Sequence, residues 1–160
     1  MPDSLVQALI AHFDSVFVGP NGDYAATLES LAGISAAQAL WKPAPAQNSI
    51  WQIVEHLIGS NEWLMDMLAG RQPAPTVWVE PAGGEAAWQA TLARLQDSHQ
   101  RLKAALEQVA EADLLVVEPK TDHTLLELVL SSGPAHEAHH GGQIDYLKGL
   151  QAAGSASQPS

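Results

Sequence analysis

Three histidines, His56, His136 and His140, have the types and spacing to do chemistry together. His136 and His140 lie in the stretch His136-Glu-Ala-His-His140-Gly-Gly-Gln143-Ile-Asp-Tyr-Leu147. On a helix they stand one turn apart with their imidazoles pointing the same way. Two neutral imidazoles so placed can grip one divalent cation. A third ligand must come from elsewhere, and the best candidate is His56 in Ile50-Trp-Gln-Ile-Val-Glu-His56-Leu. A His-x-x-x-His pair is a weak signal alone, because seven histidines in this length give chance pairs. Its neighbours strengthen it. Gly141-Gly142 leave room beside the pair for close approach by another element or a ligand. Gln143, three residues beyond His140, can hydrogen-bond a ligating ring or a bound water.

His139 is the rival within the run, since it too neighbours His136 on a helix. It points about 100° away from His140, so His140 is the favoured ligand and His139 a supporting or cleft residue. His12, His99 and His123 read as ordinary surface or capping histidines. A three-imidazole site leaves the ion its full double charge and a position open to water or substrate. Such an ion lowers the pKa of bound water towards ~7, or stabilises a thiolate or oxyanion. Imidazole suits zinc, nickel, iron and copper; zinc or nickel is the first expectation, iron or manganese the next. No general base is assigned. Glu55 and Glu137 adjoin the ligands in sequence, but each points about 100° from its neighbour and reads as a solvated carboxylate. Glu62 or Asp66 could reach the cleft, though nothing singles out either. Trp51, Trp63 and Trp78 could wall an apolar pocket near the ion, a role that competes with plain core packing or loop anchoring.

The elements that must position these residues are helical. Asp3 can cap a first helix whose stripe is Leu5, Val6, Leu9, Ile10, Phe13, Val16 and Phe17. Gly19-Pro20-Asn21-Gly22-Asp23 stops it. Short helices are expected around Tyr24–Leu31 and Ala36–Leu40, broken at Gly33. Trp41-Lys-Pro-Ala-Pro-Ala-Gln-Asn-Ser49 is an extended connector. Asn48 or Ser49 then caps a strong helix to about Ala69, with Gly70 as its stop. His56 flanks the apolar stripe of that helix, facing the edge of a bundle. Arg71 to Gly84, rich in proline and glycine, is a long surface loop that Trp78 pins down or uses to line a cleft. A third helix runs from about Glu85 to Ala112, and Leu114 to Lys120 is an extended connector. Thr124-Leu-Leu-Glu127 reads as a capping box opening a last helix to about Leu150. Pro134 should kink or split that helix just before His136. There is no internal repeat and no convincing strand alternation. Four long helices point to a four-helix bundle, with a site built between facing helices.

Composition narrows the function classes. The 160 residues suit one domain, expected over 1–152 with a disordered tail at 153–160, large enough to bury a core without staples. The chain has no cysteine, which removes disulfides, zinc–thiolate sites and a cysteine nucleophile. Eighteen acidic against seven basic side chains give a net charge of −11, which repels phosphate backbones and anionic membrane surfaces. No apolar run approaches the roughly 20 residues of a membrane span, and no signal peptide opens the chain. The expectations are therefore no nucleic acid, no membrane and a cytoplasmic location.

Trp41-Lys-Pro-Ala-Pro, Ser49-Ile-Trp-Gln-Ile-Val-Glu-His56-Leu and His136-Glu-Ala-His-His140-Gly-Gly-Gln143-Ile together resemble the DinB/YfiT-like family, over about residues 1–152. Pro134, just upstream of the last motif, is a less usual feature. The resemblance implies an all-α four-helix bundle of up-down-down-up type with a long crossover. It also implies a homodimer and a divalent metal held by His56, His136 and His140. Relatives include S-transferases that add a low-molecular-weight thiol to an electrophile, thiol-dependent isomerases, metal-dependent hydrolases and damage-inducible proteins. The expected function is thus an enzyme whose metal activates a thiol co-substrate, or else water, on a small molecule. The alternative is a stress-response protein that binds metal or ligand without turnover.

Overall fold

Ser49 opens the helix that carries His56, and it does so with a reciprocal cap. Its hydroxyl accepts from the Gln52 amide, while the Gln52 side chain accepts from the Ser49 amide. The computed structural model describes residues 4–20, 22–118 and 121–156. Its helices are α1 (Leu5–Phe17), α2 (Thr27–Leu31), α3 (Ala36–Leu40), α4 (Ile50–Leu68), α5 (Glu85–Leu106), α6 (Glu111–Leu114), α7 (Leu125–Leu130) and α8 (His136–Ala156). A π-helical turn, Ser131–Ala135, joins α7 to α8. Two short strands, β1 (Val117–Glu118) and β2 (His123–Thr124), pair antiparallel before α7.

Two apolar clusters fix the direction of the four principal helices. One gathers Phe17 from the end of α1, Ile50 and Ile53 from the start of α4, Trp88 from the start of α5, and Ile144 and Leu147 from α8. The other gathers Leu9 and Phe13 of α1, Leu64 from the end of α4, Leu102 and Leu106 from the end of α5, and Val129 of α7. Thus α1 and the α7–α8 segment run one way while α4 and α5 run the other: up, down, down, up. Residues 69–84 make the long crossover between the parallel pair α4 and α5. Each fully buried aliphatic or aromatic side chain in these clusters contributes about 1.5–3 kcal/mol to holding the four helices together.

Several local expectations need correction. The first cap is Ser4, whose side chain accepts from the Gln7 amide, and Glu111 adds a carboxylate at the amides of Leu5 and Val6; Asp3 lies outside the described residues. Helix α2 begins at Thr27, not at Tyr24. Helix α5 stops at Leu106, short of Ala112, because the chain must turn back for α6 to bury Leu114. The connector after it forms the β1–β2 ladder, closed by Asp122 in the left-handed region at φ 57°. Helix α8 continues past Leu150 to Ala156, and the last part of the expected tail, 157–160, lies outside the described residues.

Other signals are matched. Thr124 with Glu127 forms the expected capping box of α7, and Ser35 with Gln38 forms a further, unexpected one on α3. Gly70, at φ 66°, follows α4. Pro134 interrupts the last helix as the wider π turn immediately before His136. No described helix is long and apolar enough to cross a membrane. Each described lysine and arginine lies within 3.9 Å of a carboxylate.

Candidate metal centre

Helices α4 and α8 pack side by side, and this brings position 56 against positions 136 and 140. The Nε2 atoms of His56 and His136 are 3.2 Å apart, and those of His136 and His140 are 3.1 Å apart. One nitrogen from each of the three rings lies within 4.8 Å of the others. The rings meet at steep angles of 63°, 74° and 83°, edges inward. Metal–imidazole bonds of about 2.0–2.1 Å in a tetrahedral arrangement would place donor atoms roughly 3.3 Å from one another. The observed spacings fit that donor set.

Protonation favours it too. Burial holds the His136 imidazole down to about 4, with the neighbouring His140, His56 and His139 adding to the effect. Burial also lowers His56, and it lowers His140 against the opposing hydrogen bond to Gln143. At neutral pH all three rings are therefore neutral. The His140 Nδ1–H donates to Gln143 Oε1 at 2.7 Å, which puts the Nε2 lone pair towards the other two rings, 3.1 Å from His136 Nε2. Gln143 in turn donates from Nε2 to His139 Nε2 at 3.1 Å. His139 is exposed and outside the cluster, and meets it by way of Gln143.

Trp78 reaches in from the crossover and stacks flat on His56, ring centroids 4.3 Å apart and planes 14° from parallel. It lies edge-on to His140 at 6.1 Å. Trp51 does not line this cleft. It is core, 2% exposed, packed on Trp88 and donating from Nε1 to Thr91 Oγ1 at 3.0 Å. Trp63 packs against the second apolar cluster. Gly141 and Gly142 are not close-packed either, since a Cβ at either would meet nothing within 4 Å.

The carboxylates also differ from expectation. Glu55 is not simply solvated: it accepts from Thr91 Oγ1 and from Arg94 Nη1, each at 3.0 Å, on the α5 side. Glu137 is buried, 5% exposed, and bonded to the buried Thr27 at the start of α2. Asp66 is tied to Arg71, and Glu62 is an exposed neighbour of Arg101. His99, expected at the surface, is fully buried, stacked on Phe17 and bonded to Asp14 at 3.0 Å. His12 and His123 are exposed. The sequence held a signal for Glu137: it stands four and seven residues before the buried Gly141 and Ile144, on their face of α8.

Glu137 gives a pH prediction. Burial pushes its carboxyl up from 4.5 to about 7, against a smaller opposing effect of the Thr27 bond. Between those values the folded chain keeps a proton that the unfolded chain has released. Stability therefore falls as pH rises through that window, by as much as about 3 kcal/mol. The lowered histidines give the opposite slope below pH 6.5, so the comparison needs a variant. In metal-free protein, Glu137→Gln should raise the urea midpoint at pH 8 and leave it nearly unchanged at pH 5. Equal midpoints for variant and wild type at pH 8 would refute this account of the carboxyl.

Comparison with known proteins agrees with this architecture. The model of the DinB superfamily matches residues 22–144. The crystal structure of a conserved protein from Enterococcus faecalis superposes with a TM-score of 0.68 at 18% identity, covering 90% of this chain and 95% of that one. At that identity the likeness shows the fold alone. No protein with a curated description matches the sequence.

Proposed function

Since the chain belongs to the DinB superfamily, we propose that its three converging imidazoles hold one divalent transition-metal ion and that the protein is a metal-dependent enzyme acting on a small molecule. The observation that carries this reading is the meeting of three neutral ring nitrogens from two helices within 4.8 Å. When bound, the ion supplies Lewis acidity, the means of stabilising a thiolate or polarising an oxygen. His56, His136 and His140 would hold it, leaving a coordination position for substrate. Gln143 fixes the tautomer of His140, and Trp78 shields one flank from water.

Thiol activation stands ahead of hydrolysis in this reading. Hydrolysis gains from a general base, and the two carboxylates adjoining the ligands are engaged elsewhere, Glu55 by Thr91 and Arg94 and Glu137 by Thr27. A low-molecular-weight thiol needs only to lose its proton before its sulfur displaces a leaving group from an electrophile. With no cysteine in the chain, that sulfur comes from the co-substrate. Zinc or nickel is the expected ion, and a homodimer the expected assembly.

The test is a panel of thiols with a chlorinated aromatic electrophile, beside a panel of activated esters and amides, given to protein loaded with each metal. Turnover with thiols that disappears with chelator and in His140→Ala is the expected result. Metal binding without turnover on either panel would leave a binding protein in place of an enzyme.

A further inference from the structure

A metal-ligating imidazole is normally held in orientation by a hydrogen bond from its second ring nitrogen. His140 has that device in Gln143. His56 lacks it: its Nδ1 is buried with no hydrogen-bond partner among the described residues. What His56 has instead is the Trp78 indole, lying almost parallel to it at 4.3 Å. Trp78 is itself 45% exposed, so burying the indole is a weak reason for it to sit there.

The placement of Trp78 is anchored two residues on. Glu80 accepts from Lys42 Nζ at 2.9 and 3.0 Å, and from Gln52 Nε2 at 3.0 Å. Gln52 is the capping-box residue of α4, fixed by Ser49 and lying one turn before His56. The crossover is thereby tied to the same helix that carries the imidazole. Helix, clasp and indole form a closed loop of contacts around the ring of His56.

We propose that Trp78 is the positioning residue for His56: its stacked ring does the orienting work that Gln143 does for His140, and the Glu80 clasp sets its place. Without the indole, the His56 ring loses its stacked partner and keeps only edge contacts with the His136 and His140 rings among those described. More of its orientation must then be fixed each time a ligand is gripped. This inference rests on the metal reading above but concerns only the protein's own side chains.

The experiment titrates cobalt(II), followed by its visible absorption, into wild type, Trp78→Phe, Trp78→Leu and Glu80→Ala. Leucine keeps apolar bulk without a ring, and phenylalanine keeps the ring. Trp78→Leu should weaken cobalt binding by about tenfold or more, the cost of losing an outer partner of a ligand. Trp78→Phe should stay within about threefold of wild type, because an aromatic face still stacks. Glu80→Ala should fall between them. Trp78→Leu binding as tightly as wild type, with the same spectrum, would overturn the proposal and leave the metal reading intact.

Wild type that takes up no cobalt, zinc or nickel would instead overturn the metal reading. In that event the ring-proton NMR shifts of His56 in metal-free protein decide the stacking. Shifts displaced upfield in wild type and restored in Trp78→Leu support it; equal shifts in the two proteins overturn it.

Discussion

His56→Ala is expected to lower zinc affinity by more than about 100-fold, as severely as His136→Ala, although 80 residues separate the two positions. The reason is geometric. Two ligands from one turn of α8 leave the ion on an open face, and the third nitrogen, from α4, closes it. Loss of even an outer partner of a ligand costs 10–100-fold in roughly this kind of site, so loss of a ligand should exceed that range. His140→Ala belongs with these two. His139→Ala removes only the far end of the Gln143 bridge, so it should cost less than about tenfold. Competition with a chromogenic chelator measures the whole series. The assignment fails if His56→Ala keeps wild-type affinity while His139→Ala loses it. His99→Ala serves as the control for the site: its zinc affinity should match wild type. It is not neutral for stability, because the ring it removes is buried between Phe17 and Asp14.

Local patterns made most of the fold readable. The caps of α3, α4 and α7 each place a serine or threonine three residues before a glutamine or glutamate, and such reciprocal bonds close over four residues of sequence. The helical placing of the three histidines followed from spacing within α4 and α8. What escaped was decided by partners remote in sequence. Nothing near His99 announces that Asp14, 85 residues away, will reach its ring and also hold Lys103 Nζ at 2.7 Å, one turn further along α5. Nothing near Trp78 says which ring it will cover. The early end of α5 was hidden for the same reason, since no glycine or proline marks it and only the burial of Leu114 requires the turn. Glu137 was legible in principle, but its spacing to Gly141 and Ile144 counted for less than the habit of putting carboxylates in water.

Gly133→Ala should destabilise the protein by about 3 kcal/mol, at the upper end of what overpacking a core costs. In an ordinary helix the same change would stabilise by roughly 0.5–1 kcal/mol. Here an added Cβ would run into the ring of Phe13, lying 2.6 Å from Cε1 and closer still to Cζ. Phe13 cannot swing aside, because it is fully buried among Leu9, Leu64 and Leu102. The alternative is for the π turn to move, and that turn is where Gly133 O accepts from the His136 amide. Displacing it shifts the start of α8 and with it the first ligand, so zinc affinity should fall together with stability. The contact can be relieved from the other side. In Gly133→Ala with Phe13→Leu, the combined loss should be smaller than the sum of the two single losses, the mark of residues that share a contact. Urea midpoints of the wild type, both single variants and the double variant measure this directly. Additive losses, or a Gly133→Ala protein as stable as wild type, would mean that the bend before His136 does not depend on the close seat of Phe13 against a bare backbone. The π turn would then be a consequence of Pro134 alone.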